Sequence, residues 1–385
     1  MAQRKEEGKK RRRIFIAEGI FFLFFLIILA GVNGIAPDRE SSELENRTLA
    51  QKPKVTLEGI KSGKFEEQFE TYLSDQAVGR DFFKMLQSNV QYTMGKRLFN
   101  DIYAGTDHYL IQGFTSPTKK QWEEKVKAIN QFQKKQKNCN VYFLLAPTAI
   151  GILEDKLPKQ APKSEQISYI DTFYHSLSKE IKTIDAVNML QKHKEEPIYY
   201  KTDHHWTTLG AYYGYKSAKE VMDLKKKEPK RTFYTVANDF QGTLTAGAGI
   251  YQDTYDTVEI SETKEQQPMI VTYVEEQEKA VSPYKEEALK EHDKYQVFFG
   301  GNHSLIEIET AVDTERKLLV LKDSYGNSMI PFLTEDFAEI TIVDPRYYYD
   351  SLSELIKQQG ITDILFLYNA NTFFSDTSLK EVLQS

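Results

Sequence analysis

Residues 141–146, Val-Tyr-Phe-Leu-Leu-Ala, form an unbroken apolar run that stops at Pro147. A strand without polar alternation has to be buried on both faces, as strands of helix-covered parallel sheets are. Residues 318–321 read the same way, and further strands are predicted at 183–187, 339–343 and 363–367. Between them lie helical patterns. Trp122, Val126, Ile129 and Phe132 mark one face of a helix over 118–137, and helices are also predicted over 167–182, 208–224, 329–333 and 351–359. This alternation implies an α/β fold, a parallel sheet with flanking helices.

Residues 231–310 break that rhythm. Apolar and polar residues alternate at 257–260 and 270–274, and glycines cluster at Gly247 and Gly249. The pattern predicts a β-rich insertion of antiparallel strands at about 225–315.

The first thirteen residues hold seven Lys/Arg and two Glu, and residues 19–36 carry no charge. A helix of that length, at about 1.5 Å per residue, approaches the thickness of a bilayer's hydrocarbon core. With the basic flank in front, this reads as a single-pass signal anchor in the cell membrane, with its N-terminus in the cytoplasm and its bulk exported. A cleaved signal peptide ending near Gly34-Ile35-Ala36 is the alternative. The expected layout is a basic tail at 1–13, an anchor at 14–36, a linker and two amphipathic helices (57–80 and 82–99) within 37–100, and a catalytic domain at 101–385. The formal net charge of −6 gives no reason to expect nucleic-acid binding. The single cysteine, Cys139, excludes an intrachain disulfide or a cysteine-based zinc site. Lying just ahead of an apolar strand, it reads as structural.

Two polar stretches carry chemistry. Thr202-Asp203-His204-His205-Trp206 gathers a carboxylate and two imidazoles. Leu321-Lys322-Asp323-Ser324-Tyr325-Gly326-Asn327-Ser328 is a buried strand running into a turn with a serine. Ligands of open parallel sheets sit at the carboxyl ends of the strands, which is where Ser324 falls. A serine there needs a base within hydrogen-bond reach, and His204 or His205 can serve, with Asp203 fixing the tautomer. Backbone N–H groups of the turn are candidate oxyanion donors. Asp203 beside two histidines could instead bind a metal. The further acidic clusters that manganese phosphoesterases of the Asp-His-His type need are not evident, so neither metal nor cofactor is expected.

Together the two stretches resemble the DHHW proteins, relatives of the SGNH-hydrolase-like O-acetyltransferases that modify alginate and other exopolysaccharides. Ala146-Pro147, Phe299-Gly300-Gly301-Asn302-His303 and Asp344-Pro345-Arg346-Tyr347-Tyr348 support the resemblance, which runs from about residue 37 onward. It implies an SGNH-like fold with Ser324 as nucleophile, His205 as base and Asp203 as its partner. His204 then has a supporting role, and Gly301, Asn302, Tyr325 and Arg346 are oxyanion candidates. It also implies a membrane-bound O-acyltransferase as acetyl donor and a polysaccharide as acceptor. A carbohydrate acetylesterase and a non-catalytic glycan-binding assembly protein are the other readings of such a fold.

Overall fold

The computed structural model of the chain describes residues 2–42, 47–224, 229–264 and 267–384. It consists of two compact units, residues 1–91 and 92–385.

The first unit begins with helix α1 (Ala2–Ile35), whose segment Arg11–Ile35 is long and apolar enough to cross a membrane or to serve as a signal anchor. Three helices follow: α2 (Leu57–Ser62), α3 (Lys64–Gln76) and α4 (Arg80–Thr93). The single helix expected over 57–80 is therefore split. Gly63 adopts φ 74°, a left-handed conformation that ends α2 while its N–H bonds Ile60 O. The helix expected over 82–99 stops at Thr93, because Leu98–Phe99 pairs with Ile102–Ala104 as a strand.

The second unit is built on one eight-stranded sheet. In chain order its strands are β1 (Asn140–Ala146), β2 (Ile181–Ile184), β3 (Met269–Tyr273), β4 (Glu278–Ala280), β5 (Leu305–Thr310), β6 (Lys317–Lys322), β7 (Glu339–Val343) and β8 (Asp363–Asn369). Their order across the sheet is β4-β3-β5-β7-β6-β8-β1-β2. The five from β7 to β2 are parallel, while β5, β3 and β4 add on antiparallel.

The sheet is thus mixed rather than parallel throughout, because antiparallel strands from the β-rich stretch expected at about 225–315 add to its edge. Among the described strands of that region, only the hairpin Arg231–Phe240 with Asp256–Thr263 stands outside it; residues 225–228 and 265–266 lie outside the described residues. In β3, Met269, Val271 and Tyr273 are buried and Ile270 is exposed. That alternation is right for an antiparallel strand, but it does not say which sheet the strand joins.

Alternate residues of the parallel strands feed two cores. Tyr142, Leu144, Val320, Leu365 and Leu367 meet helices α7 (Thr208–Val221) and α8 (Tyr325–Leu333) on one face. Val141, Phe143, Leu145, Leu319 and Phe366 meet α5 (Lys119–Lys135), α6 (Gln166–Ser176) and α9 (Leu352–Gln359) on the other. Here α6 ends at Ser176 rather than at 182, and β2 is Ile181–Ile184 rather than 183–187, because Ile181–Ile184 pairs with Val141–Leu144 of β1 and a helix begins at Val187. The last correction matters most for function. The helix expected over 329–333 begins at Tyr325, so Ser324 occupies its N-cap position, directly beyond β6 and Asp323.

Candidate active site

The Asp-His-His-Trp stretch is a loop pinned at several points. Tyr199 and Trp206 form an isolated antiparallel bridge, and the Thr207 N–H donates to Ile198 O at 3.0 Å. Buried Asp256 accepts from the Lys201 N–H (2.8 Å), the Thr202 N–H (2.8 Å) and the Thr202 hydroxyl (2.6 Å). Trp206 is fully buried against Gly214 of α7, where a Cβ would lie 2.8 Å from the indole. Its Nε1–H reaches Ser328 Oγ (2.9 Å) and Tyr325 O (3.1 Å) on α8. The tryptophan therefore ties the two polar stretches together.

The structure brings Ser324, His205 and Asp203 into one hydrogen-bonded line. His205 Nε2 is 2.8 Å from Ser324 Oγ, and His205 Nδ1 is 2.6 Å from Asp203 Oδ1. Asp203 also receives the His205 backbone N–H on Oδ1 (3.0 Å) and the Thr243 N–H and hydroxyl on Oδ2 (3.0 Å each). Burial alone would raise its pKa. The neighbouring His204 and His205 and the His205 hydrogen bonds outweigh burial and hold the carboxyl well below its ordinary range. An ionised carboxylate only accepts, so Nδ1 carries the proton and Nε2 offers a lone pair to the serine hydroxyl.

Of the two histidines, only His205 reaches Ser324. His204 turns to Thr243, with Nδ1 3.0 Å from Oγ1. Since the Thr243 hydroxyl donates to Asp203, it accepts from His204. The side chain supports the site through Thr243, and burial, followed by the His205 charge, lowers its pKa to about 4.

The oxyanion candidates separate on donor supply. The Tyr325 N–H is spent on Asp323 Oδ1 (2.9 Å) and its hydroxyl on His204 O. The Gly301 N–H bonds Phe298 O at 3.2 Å. In the turn, the Gly326 N–H bonds Asp323 O at 3.1 Å. In this structure Gly301, Tyr325 and the Gly326 amide of the turn therefore give their donors to protein acceptors. Asn302 and Arg346 have donors to spare. Asn302 Oδ1 accepts from Lys322 Nζ (2.9 Å) and Asn327 Nδ2 (3.2 Å), which leaves its own NH2 unused. Arg346 spends Nε and Nη2 on Asp344 (2.8 and 2.6 Å) and keeps Nη1. Among the described residues, the Ser324 N–H also has no partner.

Several site residues carried no sequence signal. Tyr295 stacks on the His205 ring at 3.8 Å and 10°, with its hydroxyl 2.9 Å from Ser324 O. Thr243 and Asp256 hold Asp203 and its loop from 40 to 55 residues away in the chain. Lys322, fully buried, lies between Asn302 and Asp344. Burial lowers its pKa, while Asp344 is held low by Lys322 and Arg346 against its own burial. The loop before it is unusual in its backbone. Phe299, Gly300 and Gly301 all have positive φ (61°, 79° and 107°), which delivers Asn302 to Lys322. Asp203, His204 and His205 also form a potential three-donor metal group. Asp203 and His205 bond each other within the hydrogen-bonded line, and His204 bonds Thr243 outside it.

A family model described as DHHW protein matches residues 95–343. This chain belongs to the DHHW family. A DHHW family protein from Eubacterium siraeum has a TM-score of 0.61 to this structure, with 26% identity over 74% of this chain and 95% of that one. Bacillus cereus PatB1, solved with a sulfonyl adduct, has a TM-score of 0.60, with 21% identity over 71% of this chain and 97% of that one. At that identity, PatB1 speaks for the fold of the DHHW unit alone. No curated protein matches the chain by sequence.

Proposed function

We propose that this DHHW protein is an exported, membrane-anchored serine O-acyltransferase of SGNH-like type. It would pass an acetyl group through Ser324 to a hydroxyl of a cell-surface or secreted polysaccharide. The 2.8 Å contact between Ser324 Oγ and the unprotonated nitrogen of His205 carries the reading. In the first step Oγ attacks the acyl carbonyl while its proton passes to His205 Nε2, and Asp203 stabilises the imidazolium without taking the proton. The oxyanion is met by the Ser324 N–H, with Asn302 and Arg346 as side-chain donors. Collapse of the intermediate returns the proton to the leaving oxygen and leaves an acyl ester on Ser324. An acceptor hydroxyl then gives its proton to His205, attacks the ester, and regenerates the serine. Acetyl as the group, a polysaccharide as acceptor and a membrane-bound O-acyltransferase as donor partner are what the family resemblance implies.

The test is mass spectrometry of the full chain after incubation with p-nitrophenyl acetate. A 2-carbon acyl adduct on the peptide containing Ser324, formed equally with and without EDTA, is the expected result. Loss of the reaction in EDTA with recovery on adding zinc or manganese would move the assignment to a metal held by Asp203, His204 and His205. Products then separate transfer from hydrolysis: an esterase releases acetate at the same rate whether or not a sugar acceptor is present.

Orientation follows from the basic residues ahead of the apolar helix. A periplasm- or surface-active reporter fused after Ser385 is expected to be active, and a cytoplasm-dependent one silent. The reverse pattern would remove an external polysaccharide from consideration.

A further inference from the structure

Helix α4 is amphipathic in the wrong sense for water. Asp81, Lys84 and Ser88 lie on one side, and Ser88 is buried. Phe82, Phe83, Leu86 and Val90, on the other side, are 60%, 55%, 50% and 52% exposed. The polar side faces a network of charged groups in which Asp75 is buried and Arg39 exposed. Arg80 pairs with Asp81 at 2.6 Å and Asp75 at 3.8 Å, and buried Asp75 accepts the Ala50 N–H at 2.9 Å. Arg39 meets Asp81 at 3.3 Å. Polar groups inside and a contiguous apolar stripe outside is the arrangement of a surface that meets an apolar phase.

The same unit fixes where that stripe begins. Asn33, in the last turn of the apolar segment Arg11–Ile35, accepts the Val78 N–H at 2.7 Å. Val78 is in the short connection between α3 and α4. Asp38 accepts from the Tyr72 hydroxyl at 2.9 Å, and the Arg39 N–H donates to Gln76 at 2.8 Å, both on α3. The α3–α4 connection is thereby clamped to the end of the apolar helix, and Phe82 and Phe83 follow one turn later.

We propose that the apolar stripe of α4 lies in the lipid interface of the anchoring membrane. It would work as a second, in-plane attachment of the N-terminal unit to the bilayer. The occupant is lipid because the clamp makes the stripe continuous with the helix that enters the bilayer. The inference rests on the anchor reading of Arg11–Ile35. Interfacial helices of this kind bury their apolar side chains about 5–10 Å into the headgroup and acyl boundary.

The sole cysteine allows a direct test. In full-length protein carrying Cys139→Ser, reconstituted in phosphatidylglycerol/phosphatidylcholine vesicles, Phe82→Cys, Leu86→Cys and Val90→Cys are each labelled with the fluorophore NBD. Glu180→Cys, an exposed position of the catalytic unit, serves as the aqueous control. Doxyl-labelled lipid is expected to quench the three α4 labels and spare the control, and iodide in the water to do the reverse. Labels at 82, 86 and 90 that iodide quenches and doxyl lipid does not would overturn the proposal. So would labels that neither agent reaches, since the stripe would then be covered by protein. Carbonate extraction separates this failure from that of the anchor. A chain that stays in the vesicles with unquenched α4 labels loses the interfacial helix alone. A chain that carbonate strips off loses both.

Discussion

His205→Ala is expected to lose acyl-Ser324 formation almost completely, with a fall in turnover of roughly 10⁴–10⁶-fold, as Ser324→Ala must. The reason is geometric. Nε2 of His205 is the imidazole nitrogen in contact with Ser324 Oγ, and without it the hydroxyl keeps its proton. Asp203→Asn is expected to cost about 10⁴-fold with the fold intact, because an amide in place of the carboxylate favours the wrong tautomer. His204→Ala is expected to keep a substantial fraction of activity. Its ring touches Thr243 and stands beside His205, and its loss leaves both Thr243 donors on Asp203. The measurement is burst-phase release of p-nitrophenol from its acetate, with circular dichroism as the folding control. A dead His204→Ala with a nearly normal His205→Ala would reverse the assignment of the base. Full activity in Ser324→Ala would leave no serine mechanism, and a glycan-binding role would then account for the fold better.

The parts that stood out in the sequence share a property: each is a contiguous run whose residue types constrain one another. The apolar runs ending at Ala146 and Leu321 read as doubly buried strands, and they lie in β1 and β6. Asp203 and His205 sit two positions apart on a pinned loop, so their contact needed no long-range information. Sheet membership was different. The burial alternation of β3 is the same whether it pairs with β5 or closes a separate insertion, and only the register Met269↔Thr310 to Tyr273↔Ile306 decides. The supports of the site were hidden for a related reason. Tyr295, Thr243 and Asp256 are ordinary residues in ordinary surroundings, and they acquire roles only when 231–310 folds back over the loop at 202–206. Donor supply was equally invisible. That Gly301 and Tyr325 have spent their N–H groups, while Asn302 keeps its NH2, depends on Phe298, Asp323 and Lys322 being in place.

Gly242 is where that fold-back is tightest, and Gly242→Ala is expected to damage catalysis without touching a catalytic residue. Its φ of −87° is open to any L-residue, so the backbone has no need of glycine. In such a position alanine ordinarily stabilises, by about 0.4–1 kcal/mol, through the unfolded chain. Here space decides the sign. A Cβ on residue 242 would lie 2.2 Å from the Asp203 Cβ and 2.4 Å from Oδ2, far inside contact distance. Neither side can yield freely. The Gly242 N–H is held by Thr202 Oγ1 at 2.9 Å, and Thr202 is held in turn by Asp256. Residue 243 supplies two of the donors on Asp203. Overpacking of this kind typically costs about 1–3 kcal/mol of stability. The larger effect should be on rate, since a shift of about 1 Å in a catalytic group can cost roughly 100-fold. The expected result is a folded protein with a somewhat lower melting temperature, a burst slowed by about two orders of magnitude, and p-nitrophenyl acetate KM little changed. A normal burst in Gly242→Ala would mean that the loop at 202–206 can retreat without disturbing the line from Asp203 to Ser324. The fold-back of 231–310 would then cover the site without fixing its geometry.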